Sequence, residues 1–498
     1  MDLRALAKSS ALYTIGNIAT RTVGFLMIPV YTRFLTTSDY GLIELIDLVA
    51  NVAAITFGIQ AISSSLIRIY HDRSDALWQA SVVSSAVMLM GGVAGGVGLL
   101  GILAAPWVAP ALLKTTGYTA LLQATFASLV LDTIQDVCLT YLRIQDRAVR
   151  YVVFCLSNLV LTLSLNIVLI VFCGFGVWGF VLSKLIAYSL GAAFLLVTTL
   201  RQVGFHWNGD AVRRMMGFGS PLVIGGIAAF AVHFLDRFIL NRYASLGAVG
   251  IYSLAAKFGF LMTYLVGEPF GRVWNARLYA HTTEAEWKEK FTQVFCVLLF
   301  LLMFVWTGLS SLVDEALTVM AAPEFRGAAI FVPVIAFAYL SRTIGDFFRT
   351  LLYINKRSGL TTRIMIGCAL LNTALNFALI PFHYMWGAAW ASLLTWSSYM
   401  AAMWYCAQRE HGLPLPYRTI AAFGVIAVAL VGAARFLSAG PLGLRIATSL
   451  GIALLFPFGA WFLSFLRPSQ KDTVRRLWKR PARRPAGEPR DATPVSPR

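Results

Sequence analysis

Long apolar runs set the pattern of this chain. They recur about every 20–40 residues and reach about 20 residues each, the length at which a helix crosses a hydrocarbon core about 30 Å thick. A helix on the surface of a soluble protein would show an apolar stripe and a polar face; most runs here are apolar all round. Segments at about 11–30, 42–62, 79–104, 118–142, 151–172, 177–198, 216–240, 250–274, 291–312, 328–352, 362–382, 386–406, 419–437 and 444–466 predict fourteen transmembrane helices. The pattern therefore predicts an all-α, polytopic membrane protein, and the even count puts both termini on one side.

Composition agrees. Hydrophobic residues make up 58% of the chain and charged residues 13%, against about 45–50% and about 25% in soluble domains. Lysine and arginine then orient the spans. Thirty of them fall in the loops and termini on one side, including Arg143, Arg147, Arg150, Lys288 and Lys290, against six on the other: Arg33, Lys114, Arg242, Arg326, Arg435 and Arg445. The rich side is expected to be cytoplasmic. The net charge of +18 is thus mostly a topology signal spread over short loops, and no nucleic-acid partner is expected. Residues 467–498 are rich in Pro and Arg and poor in apolar residues. They are expected to be a disordered tail that meets anionic lipid headgroups. The six cysteines lie in or beside apolar runs without a CxxC pair, which points to packing rather than metal or disulfide. The first run lacks a convincing cleavage site, so no cleavable signal peptide is expected.

The chain also repeats itself at a period near 210 residues. Arg33…Gly41-Leu42 returns as Arg242…Gly250-Ile251 at an offset of 209. Thr133-Ile134-x-Asp136 and Leu142-x-Ile144-x-x-Arg147 return as Thr343-Ile344-x-Asp346 and Leu352-x-Ile354-x-x-Arg357 at 210. Asn166 matches Asn376 at 210, and Trp178-Gly179 matches Trp386-Gly387 at 208. Each copy holds six spans, so the copies share one orientation and are parallel repeats. The expected units are an N-terminal six-helix lobe (1–200), a C-terminal six-helix lobe (201–408), two additional helices (409–466) and the tail (467–498). Rocking of one lobe against the other around a central cavity would give alternating access.

The amino-terminal residues Gly16-Asn17…Arg21…Gly24…Pro29-x-Tyr31-x-Arg33…Asp39-Tyr40-Gly41 resemble the opening of bacterial polysaccharide flippases, the O-antigen and exopolysaccharide transporters of the multidrug/oligosaccharidyl-lipid/polysaccharide exporter superfamily. Gly217-Phe218-Gly219-x-Pro221-Leu222 is similar to that family's second-lobe entry. The resemblance covers roughly residues 1–466. It implies a transporter in the bacterial cytoplasmic membrane that flips polyprenyl-diphosphate-linked oligosaccharides to the outer leaflet for polysaccharide biosynthesis, beside a polymerase and other assembly proteins. A multidrug or cation exporter or a lipid II flippase of the same superfamily is the alternative, and a membrane enzyme of polysaccharide assembly the alternative of another class.

Ionisable residues inside the spans carry the candidate chemistry, because each costs about 2.5–3.5 kcal/mol at mid-bilayer and so needs a partner or a wet cavity. The cations are Arg21, Lys184, Arg237, Lys257 and Arg342; the acids are Glu44, Asp47, Asp132, Asp136, Asp236, Glu268 and Asp346, with His233 beside them. Cations suit a diphosphate, which makes Arg21, Lys257, Arg237 and Lys184 the substrate-binding candidates. Asp47, and Glu268 before the helix-breaking Pro269, are the candidates for a coupling ion. Arg342 and Asp346, four apart, are expected to pair with each other. Gly91, Gly92, Gly95 and Gly96 form overlapping GxxxG spacings expected to pack helices. No GxxxxGK[ST], HExxH or GxSxG occurs, and no cofactor, metal or enzyme activity is expected.

Overall fold

The computed structural model describes residues 24–281, 287–355, 357–437 and 440–462, which are helical almost throughout, with no strand among them. In chain order the helices are α1 (Ile28–Phe34), α2 (Thr37–Thr56), α3 (Ile59–Tyr70), α4 (Ala76–Leu113), α5 (Thr119–Ile144), α6 (Ala148–Asn166), α7 (Val177–Val203), α8 (Gly209–Tyr243), α9 (Leu246–Met262), α10 (Glu268–His281), α11 (Trp287–Met320), α12 (Val332–Ile354), α13 (Ser358–His411), α14 (Tyr417–Leu437) and α15 (Leu442–Phe462). Among the described residues nine helices are long and apolar enough to cross a membrane, or up to eleven if each of two bent pairs is one span. The chain is an all-α, multi-pass membrane protein. Residues 11–23 of the expected first span, Arg21 among them, and the tail 467–498 lie outside the described residues.

Local chemistry sets the breaks. Thr36 and Asp39 cap α2 reciprocally: the Thr36 hydroxyl accepts from the Asp39 amide at 3.1 Å, and the Asp39 carboxylate accepts from the Thr36 amide at 3.1 Å. Gly58, at φ +74°, ends that helix, and α3 continues the span. Pro269 has no N–H to give to the preceding turn, and a wide π-helical turn, Thr263–Gly267, lies just before it. The expected fourth span is α5, 26 residues long but too polar to be among the nine; its polar residues face the cavity described below.

The longest helix, α13, is two spans folded into a hairpin. Tyr384 leaves helical geometry at φ +46°, ψ −119°. Across that turn the Asn372 amide donates to the Thr395 hydroxyl at 3.2 Å, although 23 residues separate them. A Cβ on Gly387 would stand 2.5 Å from the backbone of Leu379. The two apolar runs expected at 362–382 and 386–406 are these arms.

The glycines expected to pack α4 do not. Nothing among the described residues lies within 4 Å of a Cβ at Gly91, Gly92, Gly95 or Gly96. Spacing alone does not say which helix face meets a neighbour. The close approach comes one to two turns later, where Cβ atoms at Gly98 and Gly101 would meet Val130 and Phe126 of α5 at 2.3 Å.

The closest crossing joins repeat-related residues. A Cβ on Gly41 of α2 would fall 1.9 Å from the Leu246 carbonyl oxygen, and one on Gly250 of α9 would fall 2.1 Å from that of Thr37. Two further contacts at this end are also related by the repeat: the Thr32 hydroxyl donates to the Met320 carbonyl at 3.4 Å, and the Asn241 amide donates to the Leu112 carbonyl at 2.6 Å. Helices α14 and α15 pack on α11, where Arg445 of α15 reaches the buried Glu315 at 3.5 Å.

Candidate functional site

A cavity of about 490 Å³ lies among α2, α5, α6 and α7 of the first repeat, with Lys257 of α9 contributed by the second. Helix α2 builds its charged wall, because Tyr40, Glu44 and Asp47 at spacings of four and three share one face. Lys184 of α7 donates to Asp47 at 2.6 Å. Lys257 pairs with Glu44 and donates to the Tyr40 hydroxyl at 2.7 Å. The two ammonium groups also sit over aromatic faces, Lys184 at 4.4 Å from the Phe180 centroid and Lys257 at 4.7 Å from that of Tyr40.

Helix α5 builds the opposite wall. Asp132, Gln135 and Asp136, three and four apart, all line the cavity. Asp136 accepts from the Ser63 hydroxyl at 2.8 Å and faces Arg143 at 3.8 Å. Asp132 has no hydrogen bond or ion pair among the described residues. Helix α6 adds Asn158, Thr162 and Asn166, and the Tyr31 hydroxyl donates to Asn166 at 3.2 Å. The lining thus carries four carboxylates (Glu44, Asp47, Asp132, Asp136) and three cations (Arg143, Lys184, Lys257). Among the described residues no group of three His, Cys, Asp or Glu side chains is placed to hold a metal.

Of the residues singled out in the sequence, Lys257, Lys184 and Asp47 come together in this cavity. Lys184 is paired with Asp47 inside the cavity. Arg237 stands apart, buried in α8 against Asp236 at 2.8 Å and the His233 carbonyl, with the Tyr252 hydroxyl donating to Asp236 at 2.7 Å. Glu268 opens α10, outside the cavity lining, with Arg272 at 3.4 Å. Arg21 lies outside the described residues. Arg342 and Asp346 face each other at 3.8 Å, and Arg349 joins them at 3.1 Å. Sequence reasoning missed the neutral lining, above all Gln135, Asn158, Asn166 and Tyr188. The helical spacing of Gln135 between Asp132 and Asp136 was a usable signal for the first.

For a multi-pass helical membrane protein with a charged, polar cavity among its helices, comparison with solved structures speaks at the level of fold. The lipid II flippase MurJ in an inward closed conformation superposes with a TM-score of 0.71 at 12% identity, over 94% of this chain and 100% of that one. An inward-facing multidrug resistance MATE family transporter of the MOP superfamily gives 0.63 at 13% identity, over 84% and 96%. A MOP superfamily transporter from Pyrococcus furiosus, described as having a binding pocket of reverse polarity, gives 0.50 at 12%, over 84% and 96%. No curated relative matches in sequence. The family model for polysaccharide biosynthesis proteins matches residues 30–329, and the chain belongs to that family.

Proposed function

We propose that this protein transports polyprenyl-diphosphate-linked oligosaccharide units across the bacterial cytoplasmic membrane for polysaccharide biosynthesis, by alternating access. One observation carries the reading: two intramembrane lysines, one from each repeat, converge on the same face of α2, each held by a single carboxylate. A diphosphate can replace Asp47 and Glu44 as their counter-ion, so the two lysines can receive an anionic headgroup yet are each neutralised while the cavity is empty. The polyprenyl chain stays in lipid. Because Lys257 belongs to the second repeat and Glu44 to the first, exchange of that pair loosens a contact between the two lobes. With both termini cytoplasmic, the Gly41–Gly250 crossing lies toward the outer face, which favours a state closed on that side. Membrane lipids and a polysaccharide polymerase are the expected partners.

The test is export in cells carrying single variants at normal protein levels. Lys257→Gln and Lys184→Gln are each expected to stop polymer export, with lipid-linked oligosaccharide accumulating in the cytoplasmic leaflet. Full export by both would sink this reading. The excess carboxylate, Asp132, favours a second reading, a multidrug or cation exporter of the same superfamily. Sensitivity to cationic drugs in a deletion strain, with polymer export intact, would establish that one instead.

A further inference from the structure

The cavity wall divides into two chemistries. Along α2 the charged groups are paired, Lys184 with Asp47 and Lys257 with Glu44. Other polar groups of the lining lack such partners among the described residues. Gln135 is 5% exposed and its Oε1 has no partner. Asp132, Asn158 and Tyr188 make no side-chain hydrogen bond or ion pair among the described residues. All four line the cavity.

An intramembrane carboxylate is costly unless something uses it. Fold maintenance does not account for Asp132. Among the described residues it has no hydrogen bond or ion pair across a helix interface, and the repeat-related position, at an offset of 210, is Arg342, a charge of opposite sign. The carboxylate accepts hydrogen bonds, the Gln135 amide nitrogen donates, and the Tyr188 hydroxyl and the Asn158 amide do both. That set matches hydroxyl, acetamido or amino groups. A second carboxylate brought beside Asp132 would meet a like charge, which repels it.

We propose that Asp132, Gln135, Asn158 and Tyr188 form a sugar subsite that admits neutral or amino sugars next to the diphosphate and rejects uronic acids. The inference rests on the transport reading above and adds the class of glycan to it.

Full-length protein in lipid nanodiscs provides the test, with binding followed by intrinsic tryptophan fluorescence. Three probes are compared: farnesyl diphosphate alone, farnesyl diphosphate bearing N-acetylglucosamine, and the same lipid bearing glucuronic acid. The wild type is expected to bind the N-acetylglucosamine probe at least about tenfold tighter than the glucuronic acid probe, a difference of about 1.4 kcal/mol. Asp132→Asn should bring the two within about twofold. Asn158→Ala keeps the charge but removes an amide, so it should weaken the N-acetylglucosamine probe while preserving rejection of the acid. Equal binding of both sugars by the wild type, or unchanged discrimination in folded Asp132→Asn, would overturn the subsite while farnesyl diphosphate binding leaves the transport reading standing. No binding of any of the three probes would overturn the transport reading itself.

Discussion

The two copies of the repeat share a scaffold and differ in what fills it. In the first, the space among the helices is a polar cavity. In the second, several of the corresponding positions carry larger or oppositely charged side chains. Gly24, which lines the cavity, corresponds to His233, whose ring lies 4.9 Å from that of Trp396. Lys184 corresponds to Ser392, Tyr188 to Trp396, and Asp132 to Arg342. The packing of α5 on α7 is reversed in size. In the first copy Gln135 rests on Gly191, where a Cβ would lie 2.3 Å from its Oε1; in the second, Tyr399 rests on Gly345, where a Cβ would lie 2.6 Å from its ring. The Tyr399 hydroxyl donates to Asp346 at 2.9 Å, and the Asp236–Arg237 pair is almost wholly buried. A self-similar chain can thus hold a polar hollow in one half while the compared positions of the other are filled by larger or paired side chains.

The largest expected effect comes from the charges of the solid half. Removing one partner of a buried pair leaves an uncompensated charge at about 3–5 kcal/mol. Asp236→Ala is therefore expected to lose most of the protein's thermal stability in detergent, read as the unfolding midpoint of the purified protein. Asp47 of the cavity is part exposed, its side chain at 31%, and Asp47→Ala should cost about 1 kcal/mol or less. Equal losses for the two would erase the distinction between a structural and a binding ion pair.

Next is the crossing that holds the halves together. Gly250→Ala would press a methyl against the Thr37 carbonyl, and overpacking of this kind costs about 1–3 kcal/mol. Gly217, in α8, has nothing within 4 Å of a Cβ among the described residues; Gly217→Ala should instead be neutral or stabilise by up to about 1 kcal/mol. Opposite signs in the same unfolding assay are expected. Stabilisation by Gly250→Ala would show that the two helices do not meet in the folded protein.

Much of this architecture was legible in the sequence. Runs of 20 apolar residues leave little choice but a membrane helix, and the repeat marked Gly41 and Gly250, the residues at the tightest crossing. The cavity was harder to read, because a repeat is detected where the copies agree, whereas the hollow is defined where they differ: Gly191 against Tyr399, Asp132 against Arg342. Charges misled for a related reason. Lys184 and Arg237 both read as intramembrane cations, but only the partner decides their standing. Asp236 next to Arg237 could be seen along the chain; Asp47, 137 residues from Lys184, could not. The GxxxG spacing of α4 promised packing without saying which face turns toward a neighbour.

The sharpest test of the comparison, with only a small effect on stability, comes from exchanging the size-reversed pair. Gln135→Gly with Gly191→Tyr gives the first half the packing of the second. Each substitution alone is poor: Gln135→Gly opens a gap, and Gly191→Tyr drives a ring into the Gln135 side chain. Together they nearly conserve volume, which cores tolerate at about 1.5 kcal/mol or less. The new phenol would also stand near Asp136, the counterpart of Asp346, and could donate to it as Tyr399 does to Asp346. The double variant is therefore expected to fold with nearly unchanged thermal stability and to lose both farnesyl diphosphate binding and export, because a Tyr side chain replaces the Gln135 amide at the cavity wall. A variant that folds and still exports polymer would show that the substrate passes elsewhere and that the hollow half is not the binding half.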